Sequence, residues 1–246
     1  MPSITATARV RQVAPVRRWG VNAAASRVPG STALRLPVYL RVLQGMRDVD
    51  RVSSEELAAL CNVTSAQLRK DLSALGSHGT RGVGYDVRTL RDALATELGL
   101  QHDWPVVVVG GGNLGLALAN DAGFASRGFR VVGLVDADML RTGEPVGRDL
   151  VIQPMADLAR IVRRTRCVIG VIATPPAAAQ QVADELVAAG ITGILNFAPA
   201  VLTVPEGVAV RDVDLGTELQ LLAFHAQQRT NARFVGEGST DGGDDA

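Results

Sequence analysis

Val106-Val107-Val108-Val109-Gly110-Gly111-Gly112-Asn113-Leu114-Gly115 decides how the chain is read. Four β-branched residues in succession fit a parallel strand buried on both faces. The run ends in Gly110-x-Gly112-x-x-Gly115, and the apolar helical pattern Leu114, Ala117, Leu118 begins at once. Strand, glycines and helix, in that order, are what a dinucleotide-binding loop requires. Gly110 permits the tight turn, Gly112 leaves the backbone bare to a pyrophosphate, and Gly115 lets helix and strand pack closely. Phosphates then sit on the free N–H groups of the loop and helix start, from Gly110 and Gly111 through Asn113 and Leu114, where the helix dipole favours negative charge. A tight βα turn without any ligand carries the same glycines, so the neighbouring segments must decide.

The next apolar strand, Arg130-Val131-Val132-Gly133-Leu134-Val135, ends in Asp136. That acid lies about 20 residues beyond the last glycine, where a carboxylate meets the adenosine ribose hydroxyls. A carboxylate there repels a 2′-phosphate, so NADH and NAD+ are expected in preference to their phosphorylated forms. Further strands follow at Cys167 to Ala173, Gly193 to Leu195 and Val208 to Val210, alternating with helices near Leu158, Ile161 and Val162 and from Ala177 to Ala189. The alternation predicts an α/β class with a Rossmann-like, doubly wound parallel sheet over residues 104–213. Ligands bind at the carboxyl ends of such strands, which places Thr174, Pro175, Asn196, Phe197 and Ala198 at the nicotinamide end. Each also suits a loop-shaping role.

Composition narrows the classes. The 246 residues suit one large or two small domains, and 47% hydrophobic content supports a real core. Net charge is zero, so any nucleic-acid surface must be local. Cys61 and Cys167 sit in apolar surroundings, as in a chain kept in a reducing cytoplasm. No apolar run reaches membrane-span length, and arginines and prolines interrupt the N-terminus where a signal peptide would need its apolar stretch.

Residues 1–32 hold Arg9, Arg11, Arg17, Arg18 and Arg27 and no acid. They read as a disordered basic arm, either touching phosphates or inert. Over residues 33–100 the pattern is short helices. Leu36, Tyr39, Leu40 and Leu43 have helical spacing; Ser53 and Glu56 form a capping box; Thr64 and Gln67 suggest a second box. Two capped helices joined by Cys61-Asn62-Val63 match a helix-turn-helix. The second helix then offers Ser65, Gln67, Arg69 and Lys70, the only lysine, to base edges or phosphates. An ordinary helical pair with a solvated polar face fits equally well. The glycine-rich run Gly79 to Val87 reads as a hairpin, the wing of a winged helix, with Arg81, Gly82 and Tyr85 as candidate DNA contacts; a plain surface loop is its alternative. Thr89 is the expected cap of the following helix. Leu215, Leu219, Leu222 and Phe224 make a terminal apolar helix over residues 214–228, either a dimer contact or packed on its own domain. Residues 229–246 are Gly- and Asp-rich and read as a disordered tail.

Hydride transfer to a carbonyl needs a proton donor, most often His, Lys or Tyr. Between Pro105 and Phe224 there is none of the three. Carboxylates remain, so an NAD-dependent oxidoreductase with an added helical domain stays as the second reading, and a structural dimer with a permanently held dinucleotide as the third. A DNA-reading module joined to a dinucleotide site without a catalytic donor reads first as a sensor that regulates transcription.

Ordered blocks across residues 33–225 resemble the Rex family of redox-sensing transcriptional repressors. They include Leu36-Pro37-x-Tyr39-Leu40-Arg41, Gln67-Leu68-Arg69-Lys70-Asp71-Leu72-Ser73, Gly79-Thr80-Arg81-Gly82-Val83-Gly84-Tyr85, Gly112-Asn113-Leu114-Gly115, Gly193-Ile194-Leu195-Asn196-Phe197-Ala198-Pro199 and Val213-Asp214-Leu215. The resemblance implies a homodimer that exchanges its C-terminal helices, binds an inverted-repeat operator when NAD+ prevails and leaves it when NADH rises. It implies a cofactor-dependent contact between Arg41 and Asp214, the latter also near the cofactor. The family usually has a tyrosine where this chain has Asp121, within Ala119-Asn120-Asp121-Ala122-Gly123-Phe124. That departure implies altered discrimination between NADH and NAD+, or a weakened switch.

Overall fold

The computed structural model describes residues 28–76, 79–80 and 83–237. The chain divides into two compact units, Met1–Leu98 and Gly99–Ala246.

The first unit runs α1 (Gly30–Ala33), α2 (Leu36–Gly45), β1 (Arg51–Val52), α3 (Ser54–Leu60), α4 (Ser65–Ser73), β2 (Gly79–Thr80), β3 (Gly84–Asp86) and α5 (Val87–Glu97). Leu36, Tyr39, Leu40 and Leu43 of α2 bury one stripe, and Leu57, Leu68, Leu72, Leu90 and Leu94 complete the core. The capping box at Ser53 is complete: the Glu56 N–H donates to Ser53 Oγ (3.1 Å) and the Ser53 N–H to Glu56 Oε2 (3.0 Å). The box at Thr64 is only half formed. Thr64 Oγ1 accepts the Gln67 N–H, but the Gln67 side chain turns to Asp71. Asn62 makes the bend between α3 and α4 with φ 54°.

The expected hairpin is present as β2 and β3, joined by a strand that the sequence reading missed, in the order β1-β3-β2. A two-residue strand such as β1 has no periodicity to read. Gly84 has φ +84°, and a Cβ there would lie 2.5 Å from the Val52 carbonyl oxygen, so only glycine lets β3 approach β1. Asp86, not Thr89, caps α5; its carboxylate accepts the Thr89 N–H at 2.8 Å. The arm expected over residues 1–32 is shorter at its ordered end. Val28 is buried, α1 begins at Gly30, and the Thr32 side chain is enclosed. Residues 1–27 lie outside those described.

The second unit runs β4 (Trp104–Val109), α6 (Asn113–Ala119), α7 (Ala122–Ala125), β5 (Phe129–Asp136), β6 (Pro145–Val146), β7 (Leu150–Pro154), α8 (Leu158–Thr165), β8 (Ile169–Ile172), α9 (Pro176–Ala189), β9 (Gly193–Asn196), β10 (Ala209–Asp212) and α10 (Leu215–Glu237). The sheet order is β10-β9-β8-β4-β5-β7-β6, parallel except for β6 against β7. The valines of β4 serve both faces. Val107 and Val109 pack with Leu158, Ile161, Ala183 and Leu186 of α8 and α9, while Val106 and Val108 pack with Leu116 and Leu118 of α6. Each buried valine contributes about 1.5–2 kcal/mol of apolar burial. This is the doubly wound arrangement expected from the sequence. Strand order reverses at β4, whose neighbours are β5 on one side and β8 on the other, and the loops leaving β4 and β8 flank the resulting crevice.

Two boundaries differ from expectation. The last strand sits at Ala209–Asp212, two residues beyond its predicted end, and α10 extends to Glu237 rather than stopping at residue 228. The segment expected as a disordered tail from residue 229 is therefore helical as far as 237; residues 238–246 lie outside those described. Among the described residues no helix is long and apolar enough to cross a membrane.

Candidate functional site

The glycine loop is built by close approach. Gly110 has φ +108°, and a Cβ on it would lie 2.6 Å from the Ala173 carbonyl oxygen. A Cβ on Gly115 would lie 1.7 Å from the carbonyl oxygen of Gly110. Both positions admit glycine alone. Gly112, which precedes α6, is different: a Cβ there meets nothing within 4 Å. Its lack of a side chain leaves open space above the backbone, as a pyrophosphate approach requires. Asn113 and Leu114 are exposed beside it, at the start of α6.

The carboxyl ends of the strands are tied to one another around this loop. The Gly110 N–H donates to the Val135 carbonyl, Ala173 N–H to Val109, Phe197 N–H to Ile172 and Val213 N–H to Asn196. Thr174 faces Gly110, its Cγ2 3.1 Å from where a Cβ would stand, and its buried Oγ1 has no hydrogen-bond partner. A buried hydroxyl without a partner is rare and marks a ligand or a water. Together with the open space at Gly112, it fits a polar ligand lying along the crevice between β4 and β8. Pro175 is exposed and stands at the N-cap of α9. No group of residues among those described has the make-up of a metal site.

Asp136 stands at the end of β5, with one oxygen accepting the Gly111 N–H and the other the Asp138 N–H at 2.8 Å. Its carboxylate thus adjoins the glycine loop. Arg141, which the sequence reading passed over, donates to the Gly111 carbonyl and to Glu144. Nothing in its spacing signalled it, because it lies in an irregular turn. Asn196 is where the structure departs most from a ligand-lining role. It is buried, donates to Ala198, Ala200 and Asp212, and accepts the Ala198 N–H at 3.0 Å. Its observed hydrogen bonds go to the loop after β9 and to Asp212 of β10. Ala198 is buried and Phe197 half-buried beside the core.

Asp121 and Asp214 both cap helices. Asp121 accepts the Gly123 N–H at 2.8 Å at the start of α7. Asp214 accepts from the Gly216 and Thr217 N–H groups and from the Thr217 hydroxyl, which holds its carboxyl below the usual range. Beyond it, Leu215, Leu219 and Leu222 of α10 share one face and are exposed. The thiols of Cys61 and Cys167 are buried, and burial pushes both up, away from nucleophilic thiolate.

In the first unit, α4 carries the residues expected to face DNA. Arg69 is exposed but paired with Glu55 (3.0 Å) and Ser54 (3.0 Å) across the turn to α3. Lys70 is exposed, and its ammonium has no ion-pair partner among the described residues. Ser65 is half-buried at the helix start. Gln67 donates to Asp71 at 2.9 Å. Tyr85 is 8% exposed and belongs to the interior of the wing, where burial pushes its phenol up. Arg81 and Gly82 lie outside the described residues. Arg41 is exposed on α2.

Beneath α4 lies a cluster that the sequence reading did not foresee. Asp71 is fully buried and accepts from Thr32 Oγ1 (2.8 Å), Arg35 Nε (2.6 Å) and Nη2 (2.7 Å), Tyr39 Oη (2.7 Å) and Gln67 Nε2. Burial pushes its carboxyl up, and hydrogen bonds from Arg35, Tyr39, Thr32 and Gln67 outweigh that, holding it at about 2. The same bonds raise the Arg35 guanidinium, and burial followed by the bond to Asp71 raises the Tyr39 phenol. One carboxylate thus fastens α4 to α1 and α2.

Comparison with known proteins bears on both units. Two family profiles match, "Putative DNA-binding protein N-terminus" over residues 27–73 and "CoA binding domain" over residues 101–200. A redox-sensing transcriptional repressor Rex of Streptomyces griseus is 60% identical over 85% of this chain and 83% of its own. That of Streptomyces avermitilis is 58% identical over 86% and 84%. Among solved structures, the Rex-family repressor RSP in complex with β-NAD+ and operator DNA matches with TM-score 0.77 and 34% identity, covering 87% of this chain and 98% of RSP. RSP in complex with β-NADH matches with TM-score 0.76 and 33% identity, covering 85% and 98%. With identity this high across both units, the chain belongs to the Rex family of redox-sensing transcriptional repressors.

Proposed function

We propose that this protein is a redox-sensing repressor that binds operator DNA as a homodimer in the cytoplasm and releases it when NADH rises relative to NAD+. The observation that carries the reading is the glycine loop, bare at Gly112 and faced by the partnerless Thr174 hydroxyl, in the same chain as a helix-turn-helix with a wing. Gly110, Gly111, Gly112, Asn113, Leu114 and Gly115 hold the pyrophosphate. Asp136 takes the adenosine ribose, and Thr174, Pro175, Phe197 and Ala198 line the nicotinamide end. Asn196 acts there by shaping the loop rather than by touching the ligand.

On the DNA side, Ser65, Arg69 and Lys70 of α4 meet the major groove, and Arg81 and Gly82 are the further candidate contacts. Lys70 is free to meet phosphate or guanine at once, while Arg69 must first leave Glu55. That exposed pair is weak, worth about 0–1 kcal/mol, so the exchange is easy. Gln67 and Tyr85 act by holding the reading surface. The exposed Leu215, Leu219 and Leu222 of α10 need a cover, which a second copy of the chain supplies. Arg41, Asp121 and Asp214 are the positions through which the bound dinucleotide acts on the repressor. The dinucleotide supplies the signal, and no reaction on it is required.

The test is fluorescence anisotropy of the full-length protein on a labelled inverted-repeat duplex, with NADH titrated against fixed NAD+. Loss of DNA binding as NADH rises is the expected result. DNA binding that ignores NADH leaves a repressor without its switch. Absence of specific DNA binding overturns the reading.

A further inference from the structure

The turn after β5 carries a second charged group next to the ribose ligand. Met139–Arg141 form a short 3-10 turn capped by Asp138, whose Oδ1 accepts the Leu140 N–H at 3.0 Å. Arg141 donates through Nη1 to the Gly111 carbonyl, while Asp136 accepts from the N–H of the same residue. A Cβ on Gly111 would stand 2.9 Å from Asp136 Oδ2 and 3.5 Å from Arg141 Nη1. Carboxylate and guanidinium therefore converge on one residue of the phosphate loop, within the width of a ribose. Two further guanidinium donors, on the Nε–Nη2 edge, go to Glu144 Oε2, Nη2 at 2.8 Å and Nε at 3.1 Å. The turn is fixed to strand β7, since the Gly143 N–H donates to the Ile152 carbonyl and the Ile152 N–H to the Glu144 carbonyl, each at 2.9 Å.

An arginine beside the ribose acid is the group that takes a 2′-phosphate where one is bound, through its planar fork of donors. Here the Nε–Nη2 edge of that fork is already taken by Glu144, and Nη1 is turned to the Gly111 carbonyl. The carboxylates of Asp136, Asp138 and Glu144 are all close enough to act on the Arg141 guanidinium, so among these four groups a phosphate dianion meets net negative charge. Arg141 and Glu144 are both partly exposed, 28% and 46%, and one Glu144 oxygen takes two guanidinium donors, so removing the Glu144 charge both loosens that edge and lessens the negative charge facing a phosphate.

We propose that Glu144, by holding Arg141, makes the site reject 2′-phosphorylated dinucleotides, and that freeing Arg141 opens the site to them. The proposal rests on reading the glycine loop as an NAD(H) site. It assigns the choice of dinucleotide to a pair on the turn as well as to Asp136.

The experiment is equilibrium binding of NADH and NADPH to the full-length protein, followed by nicotinamide fluorescence. The wild type binds NADH and discriminates against NADPH. In Glu144→Gln, NADPH affinity rises by roughly tenfold, the effect of one new charge-assisted, bidentate arginine–phosphate pair, while NADH affinity changes by less than about threefold. Adding Arg141→Met to Glu144→Gln abolishes the gain. An unchanged NADPH-to-NADH ratio in Glu144→Gln with NADH binding intact overturns the proposal, and so does a gain that survives Arg141→Met. Failure of the wild type to bind NADH overturns the site reading beneath it, which separates the two failures.

Discussion

The helix-turn-helix unit presents its reading surface by holding side chains with other side chains, whereas the sheet unit presents its surface by leaving side chains out. Under α4, one buried carboxylate gathers donors from Thr32, Arg35, Tyr39 and Gln67. Beside β4, the surface proposed for the dinucleotide consists of glycine backbone packed against carbonyl oxygens. The first design depends on partners far apart in sequence. The second depends on backbone approaching backbone too closely for any Cβ. They should therefore break differently.

The largest effect is expected at Gly115. A Cβ placed 1.7 Å from the Gly110 carbonyl oxygen has no flexible side chain to push aside. Gly115→Ala is expected to destabilise the protein by more than about 4 kcal/mol, or to leave it unfolded, in urea denaturation. Gly112→Ala sharpens the contrast. Its φ of −65° suits any residue and its Cβ meets nothing. Stability should stay within about 0.5 kcal/mol of wild type, while NADH binding weakens severalfold because the methyl stands where the pyrophosphate approaches. Unchanged NADH affinity in Gly112→Ala would remove the phosphate from that place.

Next comes the hub. Asp71→Ala leaves the Arg35 guanidinium and the Tyr39, Thr32 and Gln67 donors without their acceptor, at a cost of about 3 kcal/mol. Operator binding should be lost with it, since α4 is no longer fastened to α1 and α2, while NADH binding persists. Loss of both would show that the two units are not separable in this way. The hub also sets an acid limit. The Asp71 carboxyl shifts from 3.8 to about 2 in the fold. Because the folded value is the lower one, the stabilisation is complete above pH 3.8 and fades as pH falls through about 2. It amounts to about 2 kcal/mol. In Asp71→Asn, circular dichroism should show a flatter loss of stability between about pH 4 and 2 than in the wild type.

The same contrast explains what could be read from the chain directly. Gly110, Gly112 and Gly115 were legible because a strand, a turn and a helix follow one another directly in the chain; the demand at Gly115, against Gly110, is local, whereas the one at Gly110 reaches Ala173 and was marked only by the spacing. The box at Ser53 was legible for the same reason. The sheet and its winding followed from alternation, and the wing from glycine spacing. Gln67, Tyr85 and Asn196 look like ligand contacts by residue type, yet Gln67 belongs to the buried Asp71 hub, Tyr85 to the wing interior and Asn196 to Asp212 and its own loop. Thr32 meets Asp71 across 39 positions and Arg141 meets Gly111 across 30, and no periodicity encodes such pairs. Two-residue β1 is too short to carry a pattern at all.

The smallest expected effect, and the one that tests both designs together, is at Asp121. There a side chain holds backbone, since its carboxylate caps the Gly123 N–H at the start of four-residue α7. The family resemblance implies a tyrosine at this position, coupled to the bound dinucleotide. Asp121→Tyr removes the cap at about 1 kcal/mol and introduces the phenol. Asp121→Asn keeps a capping oxygen and removes only the charge. If the carboxylate acts on the dinucleotide, both variants shift the NADH-to-NAD+ affinity ratio and Asp121→Asn leaves stability unchanged. If the acid serves α7 alone, only Asp121→Tyr loses stability and the ratio is the same in all three proteins. Operator release by NADH, measured on the same variants, then tells whether the missing phenol weakened the switch: tighter coupling in Asp121→Tyr, despite its lost cap, requires that it did.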